Sequence, residues 1–221
     1  GGRATRLTSH TGDEAMPAIS ADGKTVAFTG QYEGPTEVYT MPLAGGLPTR
    51  LTFDAARTFV HGWTSDGKVI ASTDKFSTLP NYQLYTIDPA SRERKLMPLA
   101  QASEGSFESN ADSTLFFTRL QFQGSFTKRY KGGTAQNLWK FKTGDAEAVP
   151  LTADYAGTSK RPLWWQGRIY FLTDRDGTMN IWSMQPDSKD LKQHTQFKGM
   201  DVQEMSLDAG KIAFRHAADI H

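Results

Sequence analysis

The chain has 221 residues, with 25 Lys and Arg against 24 Asp and Glu, no Cys, and 38% hydrophobic residues. A net charge of +1 argues against a nucleic-acid binder, whose affinity comes mostly from cations that neutralise phosphates. The lack of Cys excludes disulfides, thiolate zinc sites, iron–sulfur clusters and a cysteine nucleophile. No apolar run approaches the roughly 18 residues that span a bilayer, so we expect neither a nucleic acid nor a membrane as partner.

A unit of turn, apolar strand and second strand recurs along the chain. The turns lie at positions 23, 67, 113, 167 and 210, which are 44, 46, 54 and 43 residues apart. An apolar strand follows each turn, beginning with TVAFTG at Thr25. The second strand carries an aliphatic-aromatic pair, at Val38-Tyr39, Leu84-Tyr85, Leu138-Trp139 and Ile181-Trp182, with Ile220-His221 in the fifth place. A further landmark, RLT, stands at Arg6 and Arg50 and recurs in weakened form as KLM at Lys95, PLT at Pro150 and QHT at Gln193.

This repeat predicts an all-β fold, because short runs of β-branched and aromatic residues between Gly and Asp turns are typical of antiparallel hairpins. A period of about 44 residues is typical of the four-stranded antiparallel blade of a β-propeller. We therefore predict a single propeller region over residues 1–221, without significant helices and with the paired aromatics in the core between blades. Its blade repeats are approximately 4–48, 49–93, 94–148, 149–190 and 191–221, with the last incomplete.

The strand count leaves two arrangements open. If RLT at Arg6 is an outermost strand, the chain holds 20 strands, about five blades' worth. Either the first strand pairs into the last blade and closes a five-bladed ring, or the chain is a piece of a larger propeller. The chain stops at Ile220-His221 inside a strand pattern, which favours the second arrangement.

Catalytic patterns are missing from the sequence. There is no G-x-S-x-G nucleophile elbow, no H-E-x-x-H zinc motif and no phosphate-binding Gly-rich fingerprint. His10, His61 and His194 fall in different repeats, and His216 and His221 would face opposite sides of one strand. We thus expect no catalytic residue, no cofactor and no metal ligand within this chain. DRDG at 174–177 lacks the further oxygen ligands of a calcium loop and is predicted to be a hairpin turn.

Basic residues in two loops are candidates for contact with a peptide or its carboxylate. KRYKGG places Lys128, Arg129 and Lys131 in the one overlong repeat, where residues 121–135 add about ten residues, and inserted loops on rigid scaffolds concentrate binding functions. Arg57, in FDAARTF, could offer a bidentate guanidinium. The alternative in each case is a solvated surface cation. Trp164 and Trp165 must face opposite sides of their strand.

The order of the motifs is more specific than the fold. The stretch RLTSHTGDEAMPAISADGKTVAFTGQYEGPTEVYTMPLAGGLPTRLT resembles the amino-terminal propeller of tricorn-like proteases. The likeness continues through VHGWTSDGKVI, FTKRYKGGTAQNLWKF, GRIYFLTDRDGTMNIWSM and KDLKQHTQF, and covers residues 4–221. The first motif also fits TolB-like propellers, whereas KRYKGGT before a Leu-Trp strand and DLKQHT after the fourth blade are narrower signals.

The resemblance implies a six-bladed propeller within a large peptidase whose serine nucleophile and histidine base lie in other domains. It implies a non-catalytic segment that shapes the access of oligopeptides to that site, with other domains of the same polypeptide as partners and a homo-oligomeric parent. The family contributes a basic pair to the substrate's carboxy terminus, whereas the matching loop here has Ala55, Ala56 and Arg57, with one cation. The lack of Cys fits a cytoplasmic location, with a periplasmic one as the alternative if a signal peptide precedes the chain.

Two alternatives belong to other classes. One is a self-contained TolB-like propeller that binds a protein on its loop face. The other is a propeller attached to an amidohydrolase, which would carry a metal-binding His-x-His motif beyond residue 221.

Overall fold

The computed structural model describes residues 5–121 and 129–221, which consist of strands and turns without a helix. Across these residues there is accordingly no helix that could cross a membrane. The described residues contain 19 strands in five antiparallel sheets, four of four strands and one of three. The chain divides into two compact units, the first ending at Ala100 and the second beginning at Gln101.

The first unit holds two sheets, in each of which consecutive strands are neighbours. Blade 1 comprises β1 (Glu14–Ile19), β2 (Thr25–Gly30), β3 (Glu37–Pro42) and β4 (Thr49–Arg50). Blade 2 comprises β5 (Thr58–Trp63), β6 (Val69–Thr73), β7 (Gln83–Ile87) and β8 (Arg94–Leu96).

The second unit holds three sheets of the same meander type. Blade 3 comprises β9 (Glu104–Phe107), β10 (Leu115–Thr118), β11 (Leu138–Phe141) and β12 (Val149–Pro150). Blade 4 comprises β13 (Ser159–Trp165), β14 (Arg168–Thr173), β15 (Asn180–Met184) and β16 (Lys192–Gln193). Blade 5 comprises β17 (Val202–Asp208), β18 (Lys211–His216) and β19 (Asp219–Ile220).

The all-β prediction of antiparallel propeller blades is confirmed. One predicted strand is missing, because the segment from Arg6 to Thr8 does not pair with another strand. Its polar groups bond locally instead: the Arg6 guanidinium donates to the Thr8 carbonyl, and the Thr8 hydroxyl donates to the Glu14 carboxylate. The described residues therefore hold 19 strands rather than 20.

Strand register corrects the alignment of one RLT landmark. Arg50 pairs with Tyr39 of the third strand, and in blade 2 it is Leu96, not Lys95, that pairs with the corresponding Tyr85. The equivalent of Arg-Leu-Thr in blade 2 is therefore Leu96-Met97-Pro98. The KLM match was wrong by one residue, because it aligned two leucines that occupy different positions relative to the third strand.

The aliphatic-aromatic pairs of the third strands place their two members on opposite faces. Val38 of blade 1 and Tyr85 of blade 2 share one core, which also contains Val60 and Val69. In the second unit, Leu138 of blade 3 and Trp182 of blade 4 share another core around Phe116 and Phe171. The aliphatic member thus faces the next blade and the aromatic member the preceding one. The predicted place of the aromatics between blades is confirmed for Tyr85 and Trp182.

Candidate functional site

Loops of two kinds meet at one end of the sheets in each unit: those between second and third strands, and those that lead into the next blade. In the second unit, the loop before β11 contacts the β14–β15 turn, where Arg129 Nε donates to the Gly177 carbonyl at 2.8 Å. The loop before β13 joins them, because Asp154 binds Arg175 of the same turn. We call this group of loops the second loop end.

DRDG at 174–177 forms the turn between β14 and β15, as predicted. Gly177 N donates to the Asp174 carbonyl at 2.9 Å, and Gly177 has a φ of 94°, which disfavours any residue with a Cβ. The Asp174 carboxylate accepts from the Tyr155 hydroxyl at 2.9 Å and from Thr158 N at 3.0 Å. The Asp176 carboxylate accepts from the side-chain amides of Asn180 and Gln193. Both carboxylates of the turn therefore stabilise the loops around them.

Arg175 is held in a bidentate ion pair at the second loop end. Its two terminal nitrogens lie 2.7 and 3.0 Å from the Asp154 carboxylate oxygens, and its guanidinium stacks on Tyr155 at 4.9 Å from the ring centroid. The hydrogen bond from Arg175 lowers the pKa of Asp154. Burial, with the hydrogen bond to Asp174, raises the pKa of Tyr155 to about 12. Arg175 thus fixes the loop and does not present its charge to a ligand.

Two of the predicted basic residues, Arg129 and Lys131, lie exposed at the second loop end. Arg129 makes its side-chain hydrogen bond to a neutral carbonyl, that of Gly177, so its charge is not neutralised there. Arg129 also has a left-handed φ of 57°. Lys128, the third predicted residue of this loop, lies outside the described residues. The structure brings Arg129 to the DRDG turn, a proximity that the sequence did not predict.

Arg57, the fourth predicted residue, belongs to the first unit and is paired within it. Its Nε lies 3.0 Å from the Asp74 carboxylate, whose other oxygen accepts from Arg57 N at 3.1 Å. The guanidinium also lies 5.7 Å from the centroid of the Tyr82 ring. The hydrogen bond to Asp74 raises the pKa of Arg57. This carboxylate already occupies one edge of the guanidinium, although the side chain is 61% exposed.

Two serine–histidine contacts occur in the strands. His61 Nε2 lies 2.8 Å from Ser72 Oγ, and His194 Nε2 lies 2.7 Å from Ser183 Oγ. Both serines are buried, at 1% and 0% exposure, so a substrate could not reach either hydroxyl. Burial, followed by the charges of Arg168 and Lys192, lowers the pKa of His194. Among the described residues, no group of three or more His, Asp or Glu is arranged to hold a metal ion.

A further arginine, Arg161, was not selected from the sequence. It lies in a bulge of β13, where the register shifts between Lys160 and Leu163, and it has a φ of 53°. Pro162 follows it, and a proline inside a strand pattern is a signal for a bulge. That signal could have identified the position, although not the surroundings of its side chain.

Comparison with known proteins places the whole chain in one family. Residues 1–221 match the family model described as "Tricorn protease N-terminal beta propeller domain". The chain is 32% identical over 222 residues to tricorn protease homolog 1 of Streptomyces coelicolor, covering all of this chain and 21% of that protein. It is 30% identical over 233 residues to tricorn protease of Thermoplasma volcanium, covering all of this chain and 22% of that protein.

Structural comparison agrees with the sequence matches. The crystal structure of the tricorn protease superposes with a TM-score of 0.83 at 26% identity, over 97% of this chain and 22% of that one. The chain therefore spans about a fifth of the length of the relatives it matches. From the family model over the full length, the sequence identities and the shared blades, the chain belongs to the tricorn protease N-terminal β-propeller domain family.

Proposed function

We propose that this chain is the non-catalytic propeller segment of a tricorn-like serine peptidase that degrades oligopeptides, and that it shapes their access to a catalytic site in other domains. The family match over residues 1–221 carries the proposal. It is supported by the burial inside sheets of Ser72 and Ser183, the two serines that contact histidines among the described residues. Catalysis then belongs to the other four fifths of such a protein.

Shaping access requires a rigid wall, and the blades supply one. The first strands of neighbouring blades lie side by side within each unit, β1 beside β5 and β9 beside β13. Backbone groups also tie these strands to the neighbouring blade: Val60 N donates to Thr29 Oγ1 at 2.9 Å, and Trp164 N donates to Ser106 Oγ at 3.1 Å. Hydrogen bonds and packed cores keep such a wall from yielding. A passage that it bounds therefore admits an extended peptide more readily than a folded domain.

Peptidase assays on the 221-residue chain and on the full-length protein test the assignment. We expect the full-length protein to hydrolyse oligopeptides and to react with a serine-directed fluorophosphonate outside these residues, while the chain alone shows no turnover. Hydrolysis by the chain alone would overturn the assignment.

Access is tested separately, by blocking the first strands. The chain lacks Cys, so one introduced cysteine is unique within it. A bulky polyethylene glycol maleimide on Met16→Cys, in exposed β1, should slow oligopeptide hydrolysis by the full-length protein. The same label on Lys189→Cys, 79% exposed in the β15–β16 turn, is the control. Equal rates for the two labelled proteins would contradict a role in access.

A further inference from the structure

Blade 2 differs from the other four-stranded blades at the place where its outermost strand ends. In blades 1, 3 and 4, a threonine hydroxyl accepts from a backbone N–H of the third strand and donates to the preceding side chain, through Thr52, Thr152 and Thr195. The corresponding residue of blade 2 is Pro98, because Met97 N bonds to the Leu84 carbonyl as Leu51 N does to that of Val38. Blade 2 therefore has no hydroxyl at this position.

Two buried polar groups of blade 2 consequently lack a hydrogen-bond partner. Among the described residues, no oxygen accepts from Leu84 N, although Leu84 is fully buried. Gln83 Oε1 is likewise buried and receives no donor, while Nε2 of the same amide donates to the Leu99 carbonyl at 3.1 Å. The bond to Leu99 fixes which end of the amide is the oxygen. A donor and an acceptor thus lie unsatisfied where a threonine hydroxyl would serve both.

The backbone around Pro98 does not supply the missing acceptor. In a regular antiparallel ladder, Leu84 N would donate to the Met97 carbonyl. However, β8 ends one residue earlier, at Leu96, and the Met97 carbonyl accepts from Leu99 N at 2.7 Å. A three-residue turn centred on Pro98 therefore uses the acceptor that the third strand needs. Proline also has no N–H to donate to the Gln83 oxygen.

Unsatisfied buried groups lower the free energy needed to open the segment that contains them. Water satisfies both groups in the open form, so each favours opening over the closed arrangement. The other end of β8 is held in place, because Arg94 Nη1 lies 2.6 Å from the Asp54 carboxylate and the guanidinium lies 5.7 Å from the centroid of the Tyr85 ring. Opening is therefore confined to the end of β8 that leads into Pro98.

We propose that residues 96–99 are a site of local opening, where the outermost strand of blade 2 detaches from the start of β7 while the rest of the blade stays folded. The detachment uncovers Met97, which is only 1% exposed in the structure. It also frees the edge of the third strand, and an unpaired strand edge is a template for pairing with another segment. This device belongs to the blade itself and does not depend on the proposed function.

Native-state hydrogen exchange of the 221-residue chain, followed by NMR, tests the proposal. We expect the protection factor of Leu84 N to be at least about tenfold lower than those of the three capped amides, Val38, Leu138 and Ile181. Low concentrations of urea should leave exchange at Leu84 nearly unchanged, because a local opening exposes little surface. Pro98→Thr should raise the protection of Leu84 N at least about tenfold. Pro98→Val, which has the shape of threonine without its hydroxyl, should not.

Three results would overturn the proposal. The first is a Leu84 N as protected as the capped amides, which is what a bound water acting as its acceptor would produce. The second is exchange at Leu84 that urea accelerates as steeply as exchange at the most protected amides. The third is equal protection in Pro98→Val and Pro98→Thr. The first two need only the wild-type chain, so they decide the question even if neither variant folds.

Discussion

At the scale of single residues, the threonine of the RLT landmark closes three of the blades, the first, third and fourth. Thr52 Oγ1 accepts from Val38 N at 2.9 Å, Thr152 Oγ1 from Leu138 N at 3.0 Å, and Thr195 Oγ1 from Ile181 N at 2.9 Å. Each hydroxyl donates in turn to the side chain that precedes the bonded amide: Glu37, Asn137 and Asn180. The threonine therefore satisfies a backbone donor at the start of the third strand, where the outermost strand has ended.

Thr152→Val should reveal this role. Thr152 is fully buried, and valine fills its volume but leaves Leu138 N without an acceptor. An unsatisfied buried donor costs about 1–3 kcal/mol, which urea unfolding of the chain would measure as a lower free energy of unfolding. Thr49→Val, on exposed β4, is the control and should change stability by less than about 0.5 kcal/mol. Equal effects of the two substitutions would contradict the capping role.

The sequence showed RLT as a pattern but not as a cap. The acceptor and its amide are 14 residues apart, and only strand pairing brings them together. In blade 2, Pro98 occupies the threonine's place and Met97 N still bonds to the Leu84 carbonyl. The landmark is thus dispensable in one blade, which is why residue similarity misaligned it there.

At the scale of elements, the hairpin turns combine a conformational requirement with a packing one. Gly167 and Gly177 both have left-handed φ values, of 83° and 94°. A Cβ at Gly167 would meet nothing within 4 Å, whereas one at Gly177 would lie 3.1 Å from Arg129 Nη2. Gly177 therefore allows the β14–β15 turn to form. Its lack of a side chain also leaves room for Arg129 at the second loop end.

Gly177→Ala and Gly167→Ala together separate the two requirements. Both should lose about 1 kcal/mol because alanine is strained at these φ values, and Gly177→Ala should lose more through displacement of Arg129. In an Arg129→Ala background the excess should vanish, since the contact is gone. The measurement is thermal unfolding of Gly177→Ala and Gly167→Ala, each with and without Arg129→Ala. If Gly177→Ala still loses more stability than Gly167→Ala when Arg129 is absent, the contact is refuted.

Hairpins were predictable because their signals are local. Asp-Gly turns between apolar runs and proline within a strand pattern act over a few residues. The neighbours of Arg129, Arg57 and Arg161 were not predictable, because Gly177 is 48 residues from Arg129 and Glu104 is 57 residues from Arg161. Among the described residues, Arg129 consequently bonds to a carbonyl, Arg57 to a carboxylate, and Arg161 through its backbone N–H to Glu104.

At the scale of the whole molecule, stability comes from cores that neighbouring blades share. Blades 4 and 5 bury Leu172, Ile181, Val202 and Met205 between them, with Leu163 and Tyr170 partly buried at the edge. A single blade would expose such a face to water, so stacking of repeats is required for burial.

Removal of residues 196–221 should expose the blade 5 side of blade 4. The apolar face around Leu172 and Ile181 would then be open to solvent, and contiguous apolar patches promote association. We expect increased binding of a hydrophobic dye and a larger particle in light scattering than for the complete chain. Leu163→Ser with Tyr170→Ser in the truncated chain should reduce both signals. A truncated chain that stays monodisperse, with unchanged dye binding, would refute the shared core.

The sequence alone determined the all-β class, the blade period of about 44 residues and the positions of most turns. Each of these follows from local patterns of apolar, aromatic and turn residues, which recur within one repeat. The tertiary structure decided which partner each charged side chain has, because the carbonyls and carboxylates that bind an arginine are distant from it in sequence. Arg57 and Arg129 show the difference, because the Asp74 carboxylate binds Arg57 whereas Arg129 bonds to the neutral carbonyl of Gly177.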